Sequence, residues 1–249
     1  MPARAHGRAT LRSARSAPGR PRRLRSACKH RHSRRVAATR AAPAQQAEAP
    51  ATRPARRGEL GAVSAFIVDN FFCDGEPAGL LARASLCTQQ EQDLRKRYWR
   101  PLHDAQLLVL RSRSGAILGC CGFESLPFDG SSLLQPGEYA SGSGDYTLRP
   151  LVSNLVVDRA TRGNGYGSAL MDAIESCINE RGFDESLLLV ASQNQGARKF
   201  YSKRGYRAFA KATYGGLELE NKRFVTQNGI PGVYMRKSLK GGLLGLLGL

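Results

Sequence analysis

The residues best suited to chemistry form a short glycine-rich segment, Arg162-Gly163-Asn164-Gly165-Tyr166-Gly167. An apolar run ends just before it and an amphipathic stretch follows, which predicts a turn from a strand into a helix. Glycine lets the backbone approach a ligand and adopt dihedral angles that other residues avoid. The helix start adds unpaired N–H groups and the positive end of its dipole. Such a turn can bind a diphosphate; the alternative is that glycine serves only the geometry of the turn.

The spacing within this segment separates three kinds of phosphate-binding loop. The dinucleotide pattern G-x-G-x-x-G fails because Ser168 stands at its last position. A nucleoside-triphosphate loop needs Gly-Lys-Ser/Thr, and no such tripeptide follows. The pattern that fits is R-x-x-G-x-G, from Arg162 through Gly165 to Gly167.

A second informative segment, residues 194–206, reads NQGARKFYSKRGY and begins 27 residues after Gly167. It predicts a helix with Ala197, Phe200 and Tyr201 on one side. Asn194 precedes this helix and is a suitable N-cap residue.

The two segments, in this order and spacing, resemble the signatures of the GNAT superfamily of N-acetyltransferases. The resemblance covers roughly residues 60–240, and Arg159 departs from it where many members have proline. It implies an α/β fold with a mixed, mostly antiparallel central sheet that is splayed at its middle strands, with flanking helices. It also implies acetyl-CoA as co-substrate and no metal.

The resemblance further implies roles for individual residues. The backbone of Leu155, Val156 and Val157 would hold the pantetheine arm, and the turn would hold the diphosphate. The cofactor-binding set is thus Leu155, Val156, Val157, Arg162, Gly163, Asn164, Gly165, Tyr166, Gly167, Asn194, Ala197 and Tyr201. Tyr201 matches the family's general acid, which protonates the leaving thiolate; the alternative is a core aromatic. Asn194 either caps its helix or bonds the pantetheine amide.

The amine acceptor must lose a proton before it attacks, so a base or a chain of waters is needed. Glu124 is the candidate catalytic base, with Glu138 and His103 as more remote options. Acidic residues that could attract a cationic amine lie in the segments 124–144 and 214–220. We expect a protein or peptide acceptor, because the overall pattern resembles plastid members that acetylate protein N-termini and lysines. A small-molecule amine acetyltransferase and a catalytically silent acetyl-CoA-binding regulator remain alternatives.

The elements that must position these residues follow from the hydrophobic pattern. We expect strands at 63–72, 105–111, 116–123, 146–157, 186–191, 206–214 and 233–238 and helices at 76–100, 165–181 and 194–204, the first broken near 85–88. Segment 124–144 is expected to be a long loop. Pro150 lacks a ladder donor, so we expect a bulge or splay there.

Charge divides the chain into parts. Residues 1–58 hold 16 of the 38 Lys and Arg residues and one acid, which leaves 22 basic and 19 acidic residues, a charge of +3, in the rest. We expect a disordered basic transit peptide and linker at 1–58, an acetyltransferase domain at 59–240 and an apolar Gly/Leu tail at 241–249. The leader favours a chloroplast destination, with the mitochondrion as alternative; a nucleic-acid-binding arm or a plain solvated tail are the other interpretations.

Other function classes are disfavoured. The six cysteines include no C-x-x-C pair or zinc-type cluster. No stretch reaches the roughly 18 to 20 apolar residues of a membrane span. The near-neutral balance after residue 58 argues against nucleic acid as a partner of the mature domain.

Overall fold

The computed structural model describes residues 50–73, 78–101, 103–134 and 145–240. All of these belong to the unit Ala47–Leu249. Glu138, most of the leader, the tail 241–249 and residues 135–144 of the expected loop lie outside the described residues.

The described part of the chain folds as a mixed α/β domain around one open, mostly antiparallel sheet. The strands are β1 (Ala51–Pro54), β2 (Ala105–Arg111), β3 (Ile117–Asp129), β4 (Ser132–Leu133), β5 (Thr147–Val157), β6 (Glu185–Ala191), β7 (Arg207–Glu220) and β8 (Arg223–Ser238). Seven of them lie in the order β1-β2-β3-β5-β6-β8-β7, and β4 pairs with β3 beside this path. Among the ladders of the described residues, β5/β6 alone is parallel.

Four α-helices pack on the sheet: α1 (Leu60–Ile67), α2 (Leu80–Trp99), α3 (Tyr166–Glu180) and α4 (Gln195–Lys203). Two main apolar clusters lie between the sheet and the helices on its two faces. One joins α1 and α2 to β2 and β3, and includes Leu60, Val109 and Val156. The other places α3 and α4 on the opposite face, around Phe123 and Ile174. No helix in the described ranges is both long and apolar enough to cross a bilayer.

The strand expected at 63–72 is wrong: helix α1 and a π-helical turn, Val68–Phe72, occupy these residues. Leu60, Val63, Ser64 and Ile67 are buried, which is the i, i+3, i+4, i+7 spacing of one helix face. A short apolar run fits a strand and a buried helix equally well, so β-branched content misled the prediction. Helix α2 is unbroken at 85–88, and its Leu80 and Leu81 are each 87% exposed.

Two further boundaries differ from the sequence predictions. Part of the expected loop 124–144 is regular, because β3 continues to Asp129 and turns into β4. Ala51–Pro54, assigned to the leader, form β1 and pair with β2. The folded domain therefore begins before residue 59.

The central strands separate as expected, but Pro150 is not the point of irregularity. The parallel ladder pairs only Leu151 with Leu187 and Val152 with Leu188. Beyond Val152, β5 continues to Val157 beside β3 alone. The irregularity in the β3/β5 register lies opposite Cys120–Gly122, where Asn154 has a φ of 55°. The strands thus open towards the carboxyl end of β5, next to the glycine-rich segment.

The β7/β8 hairpin is longer than predicted and reaches the junction of α1 and α2. Segment 214–220, expected as an acidic loop, is part of strand β7. The hairpin ends at Asn221 and Lys222, which both have positive φ. The carbonyl of Lys222 accepts a hydrogen bond from Gly79 N at 2.9 Å. Phe224 meets the ring of Phe72 edge-on, so the hairpin is anchored across this face of the domain.

Candidate active site

The glycine-rich turn between β5 and α3 has the conformation that its sequence predicts. Gly163 and Gly165 have φ values of +90° and +82°, in the left-handed region that favours glycine. A Cβ built on either residue meets no atom within 4 Å. The space beside both glycines is therefore open, so it is available to a ligand.

The same turn presents a row of unused hydrogen-bond donors. Gly165 is the N-cap of α3 and supplies no side-chain acceptor. Among the described residues, no protein group accepts a hydrogen bond from the backbone N–H groups of residues 163–168. Free N–H groups at the positive end of a 15-residue helix favour an anion, above all a phosphate.

Side chains hold the turn in place. Arg162 donates to Val157 O at 3.3 Å and to Asn70 O at 3.0 Å. Asn70 in turn accepts from Arg159 N at 3.0 Å. Asn164 donates to Thr161 O at 3.0 Å, so its side chain serves the turn itself. These bonds pre-organise the donors, because the loop need not be ordered when a ligand arrives.

A cleft of about 520 Å³ opens in front of the turn. It brings together most of the predicted cofactor residues: Leu155, Val156, Val157, Arg162, Gly163, Gly165, Tyr166, Gly167, Ala197 and Tyr201. Asn164 and Asn194 are outside its lining. The cleft also contains Asn70, Phe71, Ser168, Gly196 and Phe200, which the sequence analysis did not select. Ser168 and Gly196 adjoin selected residues, whereas Asn70 and Phe71 were assigned to a strand and carried no signal.

Strand β5 forms one wall of this cleft. Its last residues pair with β3 on one side, with Val156 opposite Cys120 and Val157 opposite Gly119. On the other side the described ladder to β6 has already ended at Val152. Backbone groups of residues 155–157 therefore face the opening, where an extended amide chain could pair with them as a further strand would.

Tyr201 lies on α4 at the inner end of the cleft. Its ring packs edge-on against Phe200 at 5.2 Å and Tyr206 at 5.8 Å between centroids. No hydrogen bond to the Tyr201 hydroxyl is found among the described residues, so its proton is available to a ligand. Burial, with a smaller effect of Cys121, raises the pKa of Tyr201 above its usual value. The phenol is therefore protonated at neutral pH and suited to donate.

Asn194 acts as the cap of α4. Its side-chain oxygen accepts from Ala197 N at 3.0 Å, which satisfies one of the unpaired donors of the first turn. The helix start thus holds Ala197 against the cleft. The structure shows this capping role for Asn194.

Glu124 lies on β3 in a different cavity, of about 330 Å³, together with Arg97 and His103. Its carboxylate accepts from Arg97 at 2.9 Å. Burial raises the pKa of Glu124, and the charge of Arg97 opposes this shift. The structure does not bring Glu124 into the cleft that holds Tyr201. Glu124 does lie close to the strand opening, since it pairs with Leu151 at the end of the β5/β6 ladder.

The cleft suits a ligand with a diphosphate and an amide-containing arm, since the free N–H groups of residues 163–168 lie beside the unpaired edge of β5. In the described ranges no cluster of three or more His, Cys, Asp or Glu residues could bind a metal ion. The fold is thus a mixed α/β domain whose cleft offers hydrogen-bond donors to an anionic ligand.

The family is shown by sequence comparison. A family model described as "Acetyltransferase (GNAT) family" matches residues 76–206, slightly more than half of the chain. The chain therefore belongs to the GNAT acetyltransferase family, whose members use acetyl-CoA. No curated protein matches it in sequence.

Solved structures agree with this fold. An acetyltransferase of the GNAT family from Staphylococcus aureus Mu50 is 16% identical, with a TM-score of 0.50, and the match covers 77% of this chain and 100% of that one. Naa20 of Chaetomium thermophilum in complex with a bisubstrate analogue is 17% identical, with a TM-score of 0.50 over 76% and 87% of the two chains. A Corynebacterium glutamicum protein titled "histone acetyltransferase HPA2 and related acetyltransferase" is 18% identical, with a TM-score of 0.50 over 78% and 98%.

Proposed function

We propose that this protein is an acetyl-CoA-dependent N-acetyltransferase that acetylates protein amines, either N-terminal α-amines or lysine side chains. The observation that carries the cofactor assignment is the row of free backbone N–H groups at 163–168 at the start of α3. These donors lie at the positive end of α3 and suit the negatively charged diphosphate of coenzyme A. The open edge of β5 matches the amide groups of the pantetheine arm.

Acetyl-CoA, when bound, supplies an activated acetyl thioester. The chain contributes orientation, because the turn and the β5 edge fix the diphosphate and the arm along one cleft. The amine nitrogen attacks the carbonyl carbon, the C–N bond forms, and the C–S bond breaks. Tyr201 donates its hydroxyl proton to the departing sulfur and recovers a proton from solvent.

The proton lost by the amine has two candidate acceptors. Glu124 lies close to the strand opening but is paired with Arg97. A water chain is the other route. Glu124→Gln separates them: a large fall in kcat that is relieved at high pH favours the carboxylate, because hydroxide then removes the proton instead. Unchanged turnover assigns the step to water.

The protein acceptor is supported by the sequence pattern, which resembles members that acetylate protein N-termini and lysines. One fold neighbour is named as a histone acetyltransferase. A small-molecule amine acetyltransferase is the alternative, and acetylation of a peptide library, read by mass spectrometry, decides between them. Products on small amines alone would reject the protein acceptor.

The experiment that tests the proposed chemistry compares the full-length protein with Tyr201→Phe. Release of free thiol from acetyl-CoA is followed with an amine acceptor. We expect kcat to fall at least about tenfold and the Kd of acetyl-CoA to change less than about twofold, because the ring packing is kept and only the proton donor is lost. Phe200→Leu is a packing control that leaves the donor in place. Equal kcat for Tyr201→Phe and the unchanged chain would exclude the acid role.

We also propose that residues 1–58 direct the protein to the plastid stroma. The support is compositional: sixteen arginine and lysine residues against one acid. A fluorescent reporter fused behind residues 1–58 should enter plastids. A mitochondrial signal would select the alternative, and a cytosolic or nuclear one would reject targeting.

A further inference from the structure

A one-residue bulge in β5 lies directly beside the cleft. Gly122 of β3 pairs with Ser153, but Cys120 pairs with Val156. Two residues of β5, Asn154 and Leu155, therefore stand opposite the single residue between those partners. A bulge of this kind bends its strand and increases the local twist, and here the bend coincides with the separation of β5 from β6.

The bulge depends on an unfavourable backbone conformation. Asn154 has a φ of 55°. Among the described non-glycine residues, positive φ otherwise occurs only at Asn221 and Lys222, in the β7/β8 turn. Left-handed geometry costs an ordinary residue about 1–2 kcal/mol, although asparagine tolerates it better than most. Contacts from neighbouring elements must therefore stabilise the left-handed conformation of Asn154 relative to a regular β5 strand without the bulge.

Those contacts come from the last turn of α2. The hydroxyl of Tyr98 accepts a hydrogen bond from Asn154 Nδ2 at 3.1 Å and bonds Ser153 Oγ at 3.0 Å. On the β3 side, the thiol of Cys120 donates to Asn154 O at 3.4 Å. Tyr98 is 8% exposed, and burial raises the pKa of Tyr98 so that its hydroxyl keeps its proton. Gly122 makes room for this arrangement, since a Cβ there would overlap the Tyr98 hydroxyl.

From this geometry we infer that Tyr98 and Asn154 are positioning residues for coenzyme A, a role that the sequence did not indicate. Their hydrogen bond holds the β5 bulge, and the bulge sets which backbone groups of residues 155–157 face the opening. Loss of the bulge would slip β5 by one residue against β3 and turn Val156 and Val157 to the opposite faces. The inference rests on the proposed function, because it concerns the pantetheine arm of the same cofactor.

The test measures two ligands by calorimetry on the full-length chain. Coenzyme A uses both the turn and the β5 edge, whereas 3′-phosphoadenosine 5′-diphosphate keeps the diphosphate and lacks the arm. We expect Tyr98→Phe to raise the Kd of coenzyme A about tenfold and to change that of the shorter ligand less than about twofold. Asn154→Gly permits the left-handed backbone but loses the amide, so it should act like Tyr98→Phe. The double variant should bind no more weakly than the weaker single variant, since both substitutions break the same Tyr98–Asn154 hydrogen bond.

Tyr234→Phe is the matched control, since it removes a hydroxyl from a ring that is 6% exposed and packs against Phe128 rather than the bulge. Its Kd values for coenzyme A and for 3′-phosphoadenosine 5′-diphosphate should equal those of the unchanged chain. Melting temperatures identify any variant that fails to fold, and Asn154→Gly then replaces Tyr98→Phe. Unchanged coenzyme A affinity in the folded variants overturns the inference, and so does equal weakening of both ligands. An unchanged chain that binds neither ligand overturns the proposed function itself.

Discussion

Replacing Gly165 by alanine should separate ligand binding from backbone strain. Gly165 has a φ of +82° and Gly182, at the end of α3, has a φ of +83°. A Cβ at either position meets no protein atom within 4 Å. The two alanine variants therefore carry the same conformational cost, about 1–2 kcal/mol. Only Gly165 lines the cleft, so only its new methyl group would meet a ligand.

The magnitudes follow from this comparison. For a domain of this size, 1–2 kcal/mol lowers the melting temperature by roughly 2–8 °C, so we expect a similar fall in both variants. A hydrogen bond to a charged group is worth about 1.5–3 kcal/mol, so loss of one N–H contact to the diphosphate weakens coenzyme A about tenfold to a hundredfold. Gly165→Ala should show this loss, and Gly182→Ala should not.

Differential scanning calorimetry and titration calorimetry on the two variants measure both quantities. The reasoning is refuted if Gly165→Ala binds coenzyme A as tightly as the unchanged chain. It is equally refuted if Gly182→Ala weakens binding to the same extent, because the effect would then come from general destabilisation.

Three further predictions concern stability and pH. The pKa of Glu59 is lowered to about 2 by its hydrogen bonds with Arg53. Its contribution to stability is therefore complete above about pH 4.5 and is lost as pH falls through about 2. The difference in melting temperature between the unchanged chain and Glu59→Gln should vanish over that interval. Glu175→Ala should lower the free energy of unfolding in urea by about 1.5–3 kcal/mol, since the half-buried Arg204 and Lys237 lose a charged hydrogen-bond partner. Exposed Glu180→Ala should change it by less than about 0.5 kcal/mol. Because burial raises the pKa of Tyr201, its hydroxyl keeps its proton between about pH 7 and 9. Any fall in turnover over this pH range should therefore also occur in Tyr201→Phe.

The Glu175 prediction rests on a charge network around a buried carboxylate. Helical periodicity groups Glu175 with the polar residues of α3, yet it is 7% exposed. Its carboxylate accepts from Lys237 at 2.5 Å and from the Tyr206 hydroxyl at 3.1 Å, and Arg204 lies at 3.4 Å. The helical pattern counts every glutamate as a polar residue and cannot show that one of them is buried. Only the fold shows that residues from α4 and β8 converge on this one.

The sequence predicted the parts of the site whose chemistry is local. Glycines with positive φ, a capping asparagine and an amphipathic helix depend on neighbours a few residues away, so Gly165, Asn194 and α3 could all be placed. Strands β2 and β6 followed from short apolar runs, and their observed bounds match the prediction within one residue.

The rest of the site depends on contacts that are distant in sequence. Asn70 reaches the glycine-rich turn, and Tyr98 reaches the β5 bulge, because residues 60–72 and α2 pack on this face of the sheet. Nothing within their own segments distinguishes them from ordinary helix residues. The bulge at Asn154 arises from pairing with β3 about thirty residues earlier, so the strand pattern instead pointed to Pro150. Glu124 was chosen as a carboxylate near a strand end, and the structure places it in the neighbouring cavity.

A crystal structure of the full-length protein with coenzyme A is the decisive test of the cofactor assignment. We expect the diphosphate within hydrogen-bond distance of the backbone N–H groups of residues 163–168, the pantetheine amides along residues 155–157, and the sulfur near the Tyr201 hydroxyl. Coenzyme A bound elsewhere on the domain, or with its diphosphate turned away from the start of α3, would contradict it.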